Sequence, residues 1–313
     1  MKIIKVIPPW LIFALGTTAG LLVSLGYAHG FLELIGDKIV NMEKFPAGDV
    51  SEGAGELLEN ARSHTAYDHQ DWGNLNCTLP RLNNPDEFYA YIYNRQLPCD
   101  KPVMVGGELK SHPPYMVGEK WVCMSKTYNI VPGRCIVLSF GILQDFSFDD
   151  DMDQRFNCKV YAFDPTIGRE THRRSPNIMF YDLGISHSDD EINTTKLARY
   201  ETILKKLGHE NSTIDYLKID VEGAELGFFQ DVFTNTPNLL KNVKQIGMEI
   251  HNSYTNKMSE VREKYWKYFQ LLDCFGFKLM FSEINPVHNL RFLFRGQARS
   301  CCYELVWARA RQW

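Results

Sequence analysis

The stretch Asp215-Tyr-Leu-Lys-Ile-Asp220-Val-Glu222-Gly-Ala-Glu225 decides the fold. A short apolar, β-rich run ends on an acid and Gly223 breaks the pattern. From about Ala224 to Phe233 apolar residues then return at helical spacing. Strand, turn and helix in that order form the repeating unit of a parallel sheet with crossover helices. The unit recurs on both sides. Upstream, strands are predicted over 135–139, 159–163 and 177–181, with a helix over 148–156. Leu197, Tyr200, Ile203, Leu204 and Leu207 mark an amphipathic helix that Gly208 stops. Downstream come a strand over 245–250 and a helix carrying Val261, Tyr265, Tyr268, Phe269 and Leu272 that ends at Gly276. Two closing strands follow, over 277–281 and 302–307. Together these predict an α/β fold with a doubly wound, mostly parallel seven-stranded sheet. Such sheets bind ligands in the crevice at the carboxyl ends of their strands.

This catalytic-type domain is assigned to 133–313, with 76–132 as an N-terminal extension packed on it. In the extension Phe88, Tyr91 and Ile92 recur at helical spacing, whereas the proline-rich residues 98–114 read as loops. Residues 36–75 read as a stem. Ahead of it, no residue from Val6 to Leu32 carries a formal charge. Roughly 20 apolar residues span a bilayer, so 1–35 is read as a cytosolic tip and a transmembrane anchor. Lys2 and Lys5 precede the run and keep the N-terminus cytosolic, giving a single-pass type II protein of the Golgi or another secretory lumen. The rival is a cleaved signal peptide with Ala28-His29-Gly30 as its processing site, which yields a secreted protein. Sequons at Asn76, Asn193 and Asn211 agree with either. So do eight cysteines that all follow the run, read as disulfides or buried thiols. Cys301 and Cys302 are expected to have different partners, and no Cys-x-x-Cys spacing suggests zinc.

With 44% hydrophobic and 23% charged residues among 313, the chain is globular rather than disordered. A formal charge of −4 offers no basic excess for a phosphate backbone, so nucleic acid is not an expected partner. A mean hydropathy of −0.28 excludes a multi-span membrane protein.

The strand ends read Ser139-Phe140-Gly141-Ile142, Phe163-Asp164-Pro165, Tyr181-Asp182, the Asp220 to Glu225 run and Glu249-Ile250-His251-Asn252. A glycine turn lets backbone approach a ligand closely. An acid closing the second strand, Asp164, can accept both hydroxyls of a ribose or simply start an Asp-Pro turn. The run from Tyr216 to Glu225 closely resembles the fourth-strand motif of FkbM-like S-adenosylmethionine-dependent methyltransferases. Trp121-Val-Cys-Met124, the run 137–149 and Met248-Glu-Ile-His251 are similar to the animal group called methyltransferase-like protein twenty-four. The resemblance covers about 115–306. It implies a Rossmann-like fold and S-adenosylmethionine as cofactor. Phe140 and Gly141 would line the cofactor, Phe163 and Asp164 would meet its ribose, and Asp182 would lie near its adenine. Ser139 stands where the family usually carries an acid, so Asp145 or Asp220 would take the methionine end.

Methyl transfer needs an aligned acceptor and a base for its proton. His251 is the first choice because its ordinary pKa is near neutrality, with Asp220, Glu222 and Glu249 behind it. The bland readings are a structural histidine, and acids gathered at a helix N-terminus. Asp220 with Glu249 or Asn252 could hold Mg²⁺ or Mn²⁺, although no metal is the favoured reading. Asp149-Asp150-Asp151-Met152-Asp153 contains the Asp-x-Asp pattern of metal-dependent glycosyltransferases, but is read first as the acidic opening turn of a helix. Arg291, Arg295, Arg299, Arg309 and Arg311 read as a solvated hairpin face. The leading expectation is a lumenal O-methyltransferase acting on a glycan or another hydroxyl. A glycosyltransferase and a catalytically silent binding protein on a methyltransferase fold are the alternatives.

Overall fold

A computed structural model describes residues 79–111, 114–192, 195–252, 258–285, 291–294 and 296–310. The predicted anchor, the stem and the sequons at Asn76 and Asn193 lie outside the described residues. Among those residues, no helix is long and apolar enough to cross a membrane. Asn211 is exposed in a turn.

Helix α1 (Pro85–Tyr93) starts where Asn84 accepts the amides of Asp86 and Glu87, and where Pro85 has no amide to leave unpaired. The segment 98–114 is not all loop: it carries β1 (Pro102–Val105) and β2 (Glu108–Ser111), followed by β3 (Pro114–Val117) and β4 (Lys120–Cys123). Pro102 and Pro114 stand first in their strands, where a missing amide costs no ladder bond. Then come β5 (Ile136–Phe140), α2 (Ser147–Phe156), β6 (Lys159–Phe163), β7 (His172–Arg173) and β8 (Ile178–Tyr181). Next are β9 (Gly184–Ile185), β10 (Asp190–Ile192) and β11 (Thr195–Ala198). Leu197, predicted helical, lies in β11 because Thr195–Ala198 pairs with both β10 and β9; the helix α3 (Tyr200–Leu207) begins after it. The chain closes with β12 (Ile214–Ile219), α4 (Glu225–Asn235), β13 (Val243–His251), α5 (Met258–Cys274), β14 (Phe277–Ile284), β15 (Arg291–Phe294), β16 (Gln297–Ser300) and β17 (Cys302–Arg309).

The main sheet runs β14-β17-β13-β12-β5-β6-β8-β7. The five strands from β13 to β8 are parallel, β17 is antiparallel to both its neighbours, and the two-residue β7 adds an eighth strand. This mixed α/β architecture fits a Rossmann-like methyltransferase fold. Strand order reverses beside β5, which puts the topological switch between β5 and β12. Every residue of β12 and β13 is buried, as strands covered on both faces require. Leu138, Leu217, Ile246 and Trp307 join one apolar cluster with the residues of α1, α4 and α5. Val137, Tyr216 and Val306 join a second with Val122 of β4 and Met152 of α2.

Two further expectations are corrected. Cys301 and Cys302 pair with each other, alongside Cys99–Cys123 and Cys135–Cys158. The basic C-terminal segment is not a solvated face throughout. Arg309 is buried, donating to the Leu240 and Phe275 carbonyls, and buried Arg299 lies 4.2 Å over the Tyr89 ring. Both guanidinium groups cover aromatic rings, Arg299 that of Tyr89 and Arg309 that of Phe277.

The extension is fastened through Tyr216, whose hydroxyl donates to the Trp121 carbonyl at 2.9 Å after crossing β13 at Gly247. A Cβ at Gly247 would sit 1.9 Å from that hydroxyl. Gly247→Ala is expected to destabilise the fold by about 1–3 kcal/mol through overpacking. In urea denaturation, adding Tyr216→Phe should recover part of that loss; strict additivity would show that the two residues do not share this space.

Candidate active site

The site is built from backbone first. After β5 the chain turns at Gly141 (φ +78°), and a Cβ there would lie 1.5 Å from the Asp220 carbonyl oxygen. Only glycine lets the turn pass this close to the end of β12. Lys218, buried within β12, donates to the Gly141 carbonyl at 2.6 Å and fixes the turn from below. Leu143 follows with a left-handed φ of +48° and stays 49% exposed.

Asp164, at the end of β6, holds this turn. Its Oδ2 accepts the amides of Ile142 and Leu143 at 2.9 and 2.7 Å. Its Oδ1 accepts the amide and hydroxyl of Thr166 at 2.8 and 2.6 Å. The acceptor positions of the carboxylate are thereby committed to shaping the crevice. Phe140 and Phe163 are core residues: their rings stack at 4.6 Å, and Phe163 stacks on Tyr181 at 5.0 Å. What these two phenylalanines can offer a ligand is backbone. Asp145 accepts the Ser147 amide at 2.8 Å and so caps α2. Asp182 follows β8 with its side chain 33% exposed, 3.9 Å from Lys196.

At the ends of β12 and β13 the charges gather. The Lys120 ammonium, from β4 and only 2% exposed, donates to Asp220 Oδ2 at 3.1 Å and Glu304 Oε1 at 2.7 Å. Burial alone would raise the Asp220 carboxyl, but Lys120, then Lys218 and His251, outweigh it and hold Asp220 well below the usual carboxylate range. Glu249 is driven the other way by burial and by Asp220 and Glu304, so it holds a proton more readily. Its Oε1 accepts from Asn285 at 2.6 Å.

His251 ends β13. Its Nδ1 meets Glu225 Oε1 at 3.0 Å, and Glu225 also accepts the Val221 amide and the Tyr265 hydroxyl. Its Nε2 lies 3.5 Å from Glu222 Oε2 and 4.0 Å from Glu249 Oε1. Burial lowers the imidazole, but Glu225, Glu249 and Glu222 prevail and raise it to about 10. His251 is therefore an imidazolium at neutral pH. In that state the ring donates rather than accepts, so service as the base predicted from sequence requires it first to give up this proton. Glu222 sits at φ +54° with its side chain 51% exposed at the mouth of this cluster.

The Asp-x-Asp run lies in α2. Asp150 pairs with Arg174, Asp151 with Arg155 and the Gly106 amide, and Asp153 with Ser175 and Asn177. Asp149 is fully buried, and burial pushes it up to about 6 against the pull of Lys218. These carboxylates bind neighbouring elements, so the run forms the helix favoured from sequence, tied at several points. Sequence reasoning missed Lys120, Lys218 and Glu304 as site residues. The available signal was a lone charge inside an apolar strand run, which only a buried partner can stabilise.

A family profile described as "Methyltransferase domain" matches residues 43–294. Among solved structures, one that is similar is M. capricolum TrmK in complex with S-adenosyl-homocysteine. It is 11% identical with a TM-score of 0.29, over 59% of this chain and 67% of that one. Another is the Methanococcus jannaschii fibrillarin pre-rRNA processing protein, 12% identical with a TM-score of 0.34, over 71% of this chain and 85% of that one. No curated protein matches.

Two outcomes test the charge cluster. Lys120→Met leaves buried carboxylates without their cation and is expected to cost about 3–5 kcal/mol in urea denaturation at neutral pH. Glu304→Gln in the same chain should restore part of it. For His251 the folded value of about 10 lies above the unfolded 6.5. Its stabilisation is complete below about pH 6.5 and is lost as pH rises toward 10. The melting temperature should fall across that window, and His251→Gln should flatten the slope. An equally steep slope in that variant would place the titration elsewhere.

Proposed function

Because this chain belongs to the methyltransferase-domain family, we propose that it is an S-adenosylmethionine-dependent enzyme that methylates a hydroxyl oxygen of the secretory-pathway lumen, on a glycan or another acceptor. The observation that carries the reading is the pair of strand ends at the switch point, where the Gly141 turn passes against the Asp220 backbone and the ionised Asp220 is followed by the exposed Glu222. The residues present suit the cofactor. Leu143 and the half-buried Tyr181 ring offer apolar surface for adenosine. Asp182 offers a carboxylate for hydroxyl or amine donors, and Asp220 suits a cationic amino group. Asp164 meets a ribose by exchanging the bonds it makes to Thr166.

When bound, S-adenosylmethionine supplies a methyl group activated on sulfur. The chain's own work is alignment and proton handling. Glu222, exposed at the mouth, receives the acceptor's proton as its oxygen attacks. His251, held cationic by Glu225, keeps Glu222 oriented. The run from Tyr216 to Glu225 supports a place within the FkbM-like group and near the methyltransferase-like protein twenty-four group. A lumenal setting is supported by the disulfides Cys99–Cys123 and Cys135–Cys158, since such bonds persist in oxidising compartments. The uncharged run 6–32 is the proposed membrane anchor.

Calorimetry on the full chain should show S-adenosylmethionine binding, and mass spectrometry of cellular glycans should show a methyl mass shift that depends on the active protein. Glu222→Gln is expected to lower kcat about 10²–10⁴-fold with cofactor affinity kept. Cofactor binding with no methylated product in any hydroxyl class would turn the reading to a silent binding protein.

A further inference from the structure

Three groups of potential metal ligands meet at the ends of β12, β13 and β17. Two are already committed. Asp220, Glu249 and Glu304 surround the Lys120 ammonium, which supplies the positive charge that an ion would bring. Glu249, His251 and Cys302 include a sulfur bonded to Cys301. The third is Asp220, Glu222 and His251, whose ligand atoms lie within 4.8 Å of one another.

From this geometry we propose that Asp220, Glu222 and the Nε2 of His251 form a binding site for a divalent transition-metal ion of the Mn²⁺ or Zn²⁺ class. The imidazole sets this cluster apart from a patch of surface acids. With Nδ1–H directed to Glu225, the neutral ring has its lone pair on Nε2, aimed at the carboxylates. A carboxylate behind the far nitrogen is the outer-shell arrangement that orients and strengthens metal-bound histidines. Glu225 is itself fixed by the Val221 amide and the Tyr265 hydroxyl, so the ring cannot turn away without breaking buried bonds. Two ligands each about 2.1 Å from an ion stand at most about 4.2 Å apart. Nε2 and Glu222 Oε2 are 3.5 Å apart, and the Asp220 carboxylate, which also accepts from Lys120, completes a trio within 4.8 Å that closes slightly around the ion. One imidazole with two carboxylates suits Mn²⁺ or Zn²⁺ better than a purely oxygen-seeking cation.

The ion exchanges with a proton: His251 releases its own when Nε2 coordinates, so the ion takes over the positive charge that the imidazolium holds without it. An ion there would also lower the proton affinity of an acceptor hydroxyl. That consequence rests on the methyl-transfer reading, whereas the binding does not.

The test is titration of the EDTA-stripped full chain with Mn²⁺, followed by electron paramagnetic resonance and by displacement with Zn²⁺. One saturable site is expected, releasing one proton per ion. Glu222→Gln, at an exposed position where folding is not at stake, should weaken Mn²⁺ at least tenfold, and His251→Gln likewise. Glu225→Gln should weaken it about 10- to 100-fold without removing a direct ligand. Wild-type Mn²⁺ affinity in Glu222→Gln and Glu225→Gln, or no saturable binding at all, overturns the site. Calorimetry of the same stripped protein with S-adenosylmethionine reports separately on the methyl-transfer reading.

Discussion

Removing an ammonium group from water is among the costlier things a fold can do, and this one does it with Lys120. A side chain from a four-residue strand outside the parallel sheet reaches its carboxyl edge and stays there only because Asp220 and Glu304 accept from it. The consequences run in both directions. Lys120 holds Asp220 ionised at the end of β12, while the same crowd of acids leaves Glu249 inclined to keep its proton. Acids a few ångströms apart are thus shifted in opposite directions, Asp220 downward and Glu249 and Glu304 upward. The N-terminal extension is consequently part of the site. Its strand β4 supplies that ammonium, takes the Gln245 side chain through both backbone groups of Cys123, and receives the Tyr216 hydroxyl at Trp121.

A second constraint shapes the other wall of the crevice. The turn after β5 has to pass against the Asp220 carbonyl, so Gly141 carries no side chain, Leu143 takes a left-handed conformation, and Asp164 spans the gap with both oxygens. The single glycine in this turn looks sparse beside the several that such turns often carry. Asp164 and Lys218 hold the backbone with side-chain bonds where further glycines would otherwise give it freedom.

The central strands were legible because burial on both faces leaves an uninterrupted apolar run, as in 214–219 and 243–251. Boundaries failed where a short segment had two good neighbours. Leu197 fits a helical stripe, yet Thr195–Ala198 gains ladder bonds on both sides. The residues 102–117 were opaque because four-residue strands carry too little periodicity to outweigh their prolines. In the site, Asp220, Glu222 and His251 were readable from strand-end position, and they do converge. Their protonation was not readable. His251 suggests a base by its ordinary pKa, but its charge is set by Glu225, Glu249 and Glu222, of which Glu225 lies on a different element.

The same dependence on distant partners explains the adjacent cysteines. Consecutive residues rarely share a disulfide, and their spacing alone favours separate partners. Here the chain leaves β16 at Ser300 and enters β17 at Cys302, so Cys301 is the single residue of a corner. That corner is held by the Asn252 amide donating to the Cys301 carbonyl and the Cys302 amide donating to the Ser300 hydroxyl oxygen. It sits directly beside His251, which pairs with Cys302 in register. The covalent link at the corner, the buried imidazolium next to it and the acids Glu249 and Glu304 therefore occupy adjoining positions on two antiparallel strands. Displacing any one of them shifts the register that aligns the others, and this coupling is why a buried, charged cluster can persist at the edge of an apolar sheet.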